Sequence, residues 1–305
     1  MDSLSTANVE FCLDMFKELT SNHVGDNIFF SPLSLLYALS TLLLGARGKS
    51  AKQMEKVLHF NHIAGPLKPD FVDSAKCSQA GRIHSELGVL FSQINQPDSN
   101  HSLSIASRLY ATKVMAVHQG KSIMVEMMYQ TGTFKLAFLK KPQMQVLELP
   151  YVNNKLSMII LLPIGTANLQ QIEKQLNMKM FYKWTSPSTM TEREVEVHIP
   201  RFKLEIKYKL NSLLKSLGMT DISNQVKADL SGVSSAKGLY LSKVIHKSYV
   251  EVNEEGTEAA ATTGNSLVVK RLPIRAQFMA NHPFLFFIKH IQTNMILFCG
   301  KLASP

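Results

Sequence analysis

The sequence predicts an α+β fold in which N-terminal helices are followed by antiparallel sheets within one domain, residues 1–305. Three observations carry this. The first third repeats apolar residues at helical spacing, the later segments alternate apolar with polar residues or run apolar throughout, and no regular strand–helix–strand alternation occurs.

In chain order, Val9, Leu13 and Phe16 fall on one face of an amphipathic helix. Ser31-Pro32 is a helix start, with a hydroxyl to cap and a proline at the first helical position, and Gly45 is the stop. Ser50 and Gln53 have capping-box spacing ahead of "MEKVLHF". Residues 66–76 are polar and irregular and read as a surface loop. "MQVLELPYV" and "KLSMIILLP" suggest a hairpin, and "ANLQQIEKQL" one further helix. "EVEVHIP" places Val195, Val197 and Ile199 on one face, and "FKLEIKY" places Phe202, Leu204 and Ile206 on another. Pro200 between them marks a bend or strand break. "FLFFIKH" and "MILFCGKL" flank "IQTN" as a second, fully buried hairpin.

Composition narrows the function classes. The chain is 45% hydrophobic and 18% charged, ordinary for a globular protein. Its longest apolar run, "PLSLLYALSTLLLGA", is interrupted by serines and a threonine and stops at Gly45. The N-terminus carries Asp2, Glu10 and Asp14 with no basic cap before an apolar core, so no signal peptide is read. Cys12, Cys77 and Cys299 lack metal-ligand spacing and read as inert thiols of a reducing compartment; a cytosolic default follows. The net charge of +10 is scattered, and Lys203, Lys207 and Lys209 alternate with apolar residues as a solvated sheet face does, so no nucleic-acid partner is expected.

Enzyme signatures are missing. Two "GKS" triplets, at 48–50 and 120–122, have Leu43 and Met115 where a phosphate loop needs glycine. No nucleophile elbow occurs, and His246 and His282 sit in apolar or strand-like segments that suit structural histidines. Neither a catalytic residue nor a metal or cofactor site is assigned.

The segment "HKSYVEVNEEGTEAAATTG", residues 246–264, resembles the strand and hinge of an inhibitory serpin. "FMANHPFLFFI" resembles that family's C-terminal signature, and "NIFFSPLSLLYALSTLLLGARGKSAKQM" its second helix and the helix after it. "ASRLYA" and "VEMMYQTGTF" are further family-like segments. The start at the first helix and the ending "CGKLASP" look like the ovalbumin-type intracellular branch.

The resemblance implies a reactive loop at about residues 254–275, offered as bait to a serine protease. The attacking serine acylates the residue before the scissile bond, and the cut loop then inserts as a new strand into the main sheet. Insertion needs alternate hinge side chains small enough to enter a packed core. Thr257, Ala259, Ala261 and Thr263 form such a face, preceded by Glu254, Glu255 and the pliant Gly256. Counting from Gly256 puts the scissile bond between Lys270 and Arg271, which implies a trypsin-like protease as partner. A plain Ala-rich solvent loop would also be nicked there; the hinge and the C-terminal signature together set this one apart. The resemblance further implies a shutter cluster of Ser31, Ser34 and His246, a monomer, no membrane, and a cytoplasmic location with unconventional release left open.

The chain is also short for that family, by about 80 residues, too many for a trimmed loop. The gap falls where Gln119 joins Gly120. There the family has a helix, an edge strand, a helix crossing the main sheet, and a central strand. The motif "NAIYFKG" and its following tryptophan have no counterpart, since Trp184 lies in a helical-looking segment. The missing strand is one of the two that should flank the inserted loop, and it carried the shutter's asparagine. His246 is therefore expected to keep an unmatched polar atom, and the shortened chain to be a substrate more than a suicide inhibitor. The alternative is a non-inhibitory protein of the same fold that is cleaved or binds a partner. A splice event or an incomplete gene model would leave such a gap.

Overall fold

The computed structural model describes residues 3–63, 81–90, 92, 112–118, 121–151, 154–235, 238–252 and 275–305. Helix α1 (Ser3–Asn22) buries Val9, Leu13 and Phe16 as their spacing requires, together with Phe11, Cys12, Met15 and Leu19. Its one fully buried amide, Asn8, is satisfied across the chain. Asn8 Oδ1 accepts the Ile296 N–H at 2.7 Å, and Nδ2 donates to the Ile296 carbonyl at 3.3 Å.

Strand β1 (Ile28–Phe30) leads into α2 (Pro32–Gly45), capped by Ser31 and opened by proline as expected. The helix stops at a glycine for a steric reason: a Cβ on Gly45 would lie 2.0 Å from Val233 Cγ2. The capping box is corrected. Helix α3 (Gly48–Val57) begins before Ser50, with Arg47 at its N-cap and no side-chain cap. Gly48, at φ +55°, allows the earlier start. Ser50 Oγ instead accepts the Asp229 N–H at 3.0 Å, and Gln53 holds the Asp221 N–H at 2.9 Å. The pair ties down a distant turn. A further helix, α4 (81–90), escaped the sequence reading although Ile83, Leu87 and Leu90 line its buried side. The loop expected at 66–76 lies outside the described residues.

The later strands are β2 (Thr112–His118), β3 (Lys121–Lys140), β4 (Gln143–Pro150), β5 (Leu156–Pro163), β6 (Thr191–Pro200), β7 (Phe202–Lys209), β8 (Ile245–Val252), β9 (Ala276–Met279), β10 (Phe284–His290) and β11 (Ile296–Leu302). Between them lie the short helices α5 (Leu169–Gln175), α6 (Met178–Trp184) and α7 (Asn211–Ser216). Both expected hairpins form, β4–β5 and β10–β11.

Nine strands make one sheet in the order β1-β11-β10-β5-β4-β3-β6-β9, with β2 also on β3. All its pairs are antiparallel except β6–β9. Strands β7 and β8 form a separate two-stranded sheet. Pro200 marks the change of sheet: it is the last residue of β6, and β7 starts two residues later.

The large sheet is covered on both faces. Alternate residues Ala137, Val146, Ile159, Leu161 and Phe287 pack with the helices. Leu136, Leu147, Ile160, Phe284 and Phe286 pack with Phe202, Leu204, Val250 and Val252 of the small sheet. Two covered faces explain why β5 and β10 read as unbroken apolar runs rather than alternating ones. Gly300 of β11 is needed beside β10, because a Cβ there would lie 2.3 Å from the Phe286 ring.

Candidate functional site

The junction of the two sheets is built around β1. Its main chain pairs with β11 on one side, Phe29 opposite Gly300. On the other side no strand pairs with it among the described residues, and side chains of β7 and β8 take the place of one. Phe29 N–H donates to Tyr208 Oη at 3.3 Å, Ser248 Oγ donates to the Phe29 carbonyl at 2.6 Å, and Ser31 N–H donates to His246 Nε2 at 2.9 Å. The edge of the large sheet is thus satisfied by the small one.

Alternation along β8 places these groups. His246, Ser248, Val250 and Val252 point inward and are buried, whereas Ile245, Lys247, Tyr249 and Glu251 are exposed. On β7, Lys203, Lys207 and Lys209 take exposed positions, the solvated face expected of them.

Ser31 joins the cluster from the helix side. Its Oγ accepts the Ser34 N–H at 3.2 Å, donates to the Leu297 carbonyl at 2.8 Å, and lies 2.8 Å from Ser34 Oγ. One serine thereby caps α2, binds β11 and, through its N–H, holds β8. Ser31, Ser34 and His246 do come together.

The expected orphan on His246 is corrected. Nε2 accepts a main-chain N–H, and neither ring nitrogen is among the buried polar atoms left without a partner. Accepting at Nε2 requires the neutral ring with its proton on Nδ1. Burial favours the same state and lowers the His246 pKa to about 4. The histidine is a neutral structural acceptor in this setting. Burial likewise pushes the Tyr208 phenol up to about 12.

Tyr208 and Ser248 were missed by the sequence reading. The signal was present: polar residues at inward positions of alternating strands need buried partners. Lys270, Arg271, Glu254, Glu255, Gly256, Thr257, Ala259, Ala261 and Thr263 lie outside the described residues. What is described is the two ends of that segment. β8 delivers the chain into it from the small sheet at Val252, and β9 receives it at Ala276 on the rim of the large sheet, parallel to β6.

Cys12 and Cys299 are free and buried; Cys77 lies outside the described residues. Among the described residues no group of three or more His, Cys, Asp or Glu side chains could hold a metal ion. No helix described is long and apolar enough to cross a membrane.

The family model of the serpins, described as serine protease inhibitors, matches residues 6–120 and 115–305. The chain is a serpin. It is similar to Serpin B11 of Homo sapiens, 60% identical over an alignment of 392 residues that covers the whole of both chains. Among solved structures it is similar to uncleaved ovalbumin, with a TM-score of 0.77 at 28% identity over 99% of this chain and 100% of that one. It is also similar to a tumour suppressing serpin, with a TM-score of 0.80 at 26% identity over the whole of both.

At 305 residues against a 392-residue alignment, this serpin is shortened. The two matched segments meet within 115–120. The strands on either side of that meeting point are partners. β2 pairs with β3 from His118 opposite Lys121 to Thr112 opposite Met127. The stretch before the join is thereby built into the large sheet and lies apart from β8.

Proposed function

We propose that this serpin offers residues 254–275 as a bait loop to trypsin-like serine proteases inside the cell, one chain to one protease. Lys270–Arg271 is the scissile bond, and Glu254, Glu255, Gly256, Thr257, Ala259, Ala261 and Thr263 are the hinge. Ser31, Ser34 and His246 are the shutter that holds the strand feeding the loop. In this shortened form the encounter ends in cleavage more often than in a trapped complex.

The reading rests on one observation. Among the described residues β8 has a single strand partner, β7, and β2 pairs with β3. A loop that enters a sheet gains most from main-chain bonds on both sides and a covered core face. Here one flank is provided. Partial insertion leaves the acyl-enzyme time to hydrolyse, which makes the chain a substrate.

Incubation of the full chain with trypsin tests this. The expected products are a fragment ending at Lys270 and active enzyme. A covalent complex that survives denaturation at near-equimolar ratio would show efficient inhibition and overturn the substrate reading. Cleavage at other bonds only, unaffected by Lys270→Ala, would overturn the assignment of the scissile bond.

A further inference from the structure

The second edge of β8 has no strand on it among the described residues. Half of the main-chain donors and acceptors of this eight-residue strand face away from β7, a template for another strand. The inward side chains are already buried by this molecule, so recognition at the edge falls to the backbone and to Lys247, Tyr249 and Glu251. Tyr249 is 46% exposed.

We propose that β8 pairs antiparallel with β8 of a second copy of this chain, about a two-fold axis through Tyr249. The result is a four-stranded sheet running across two molecules. Inward residues stay inward only when the axis passes through a residue, which leaves a few registers. An axis at Lys247 sets lysine against lysine. An axis at Ser248 sets Lys247 against Tyr249 and Ile245 against Glu251, with neither charge opposed. An axis at Tyr249 sets Lys247 of each protomer against Glu251 of the other, and the tyrosines against each other. Opposite charges and aromatic pairs across strands are the favourable combinations, so charge selects this register.

Contacts already present are compatible with it. The Lys247 ammonium bonds to Glu205, and it has three N–H groups. Glu251 accepts the Tyr249 hydroxyl, stands opposite Lys203 of β7 and has a further interaction within the molecule, so the second copy's Lys247 would add to its partners. Lys203 Nζ stands 5.2 Å from the centre of the Tyr249 ring. The second copy is favoured over other strands by the same chemistry. An acidic strand would face Glu251 with like charge, and a basic one would face Lys247. A strand carrying a lysine and a glutamate four residues apart, read in reverse, satisfies both, and β8 is such a strand. A single strand pair falls below the roughly 1,000 Å² of a stable interface, so the dimer is weak and dissociates on dilution. It departs from the monomer implied by the sequence yet leaves dilute chains free to meet a protease singly.

Sedimentation velocity of the full chain from low to high micromolar concentration tests the proposal. The wild type is expected to show a reversible monomer–dimer equilibrium. Lys247→Glu and Glu251→Lys are each expected to be folded, by circular dichroism and melting, and to dimerise at least tenfold more weakly. An equimolar mixture of the two, or the double variant alone, should recover the dimer, because each changed side chain again meets an opposite charge. A wild type that stays monomeric throughout overturns the proposal. So does a dimer that both single variants retain, or one that neither mixing nor the double change restores.

Discussion

His246 shows how much one buried ring can set. Its folded pKa, about 4, lies below the ordinary 6.5, so between those values the unfolded chain holds a proton that the folded chain does not. Stability therefore rises with pH across that window, is complete above about 6.5, and is lost as pH falls toward 4. The contribution is at most about 3 kcal/mol, less whatever solvent reaching the ring relieves. Urea midpoints measured between pH 7 and 4.5 should fall for the wild type and fall less for His246→Gln. Equal slopes would mean that the ring titrates normally in the fold. Gly300 makes a steric counterpart. Because its Cβ would sit 2.3 Å from the Phe286 ring, Gly300→Ala should destabilise by about 1–3 kcal/mol, read as a lower melting temperature. An unchanged melt would show that Phe286 can move aside without cost.

At the scale of elements, the start of α2 is the joint on which β1, β8 and β11 converge. Ser31→Ala removes the helix cap and the bond to Leu297 together, and should cost about 1–2 kcal/mol in chemical denaturation. Ser34→Ala keeps both bonds and should cost less; equal losses would mean that the Ser31 hydroxyl depends on Ser34. This joint was half legible in the sequence. Ser31-Pro32 announced the cap locally, and the alternation of "IHKSYVEV" announced which residues face inward. The partners, Leu297 and Phe29, could not be read, because hydrogen bonds across more than two hundred residues leave no local pattern. Ser50 and Gln53 show the converse error. Their spacing fits a capping box, but both side chains are engaged by residues 220–229, and tertiary contact outweighed the local rule.

At the scale of the whole molecule, strand count decides the expected behaviour. A chain cut at Lys270–Arg271 should melt within a few degrees of the intact one, since the one flank that β8 offers among the described residues gives the freed strand little to gain. A large rise in melting temperature on cutting would reveal insertion and a second flank. The order of helices and strands, both hairpins and the strand break at Pro200 were readable because each is a local signal; that the break carries the chain into a second sheet was not. The pairing of β2 with β3 was not, because the sequence on either side of residues 119–120 resembles parts of the family that are separated in longer members. A last consequence concerns synthesis. Among the described residues β1 takes its only strand partner from β11, and Asn8 finds its hydrogen bonds at Ile296, 288 positions away. Ribosomal elongation across those 288 positions takes roughly 15–60 s. For that whole interval the first helix and strand emerge without the strand that completes them. The large sheet closes only once β11 has been made, so a chain stopped before Ile296 would keep its apolar edge open and be a target for chaperones or aggregation.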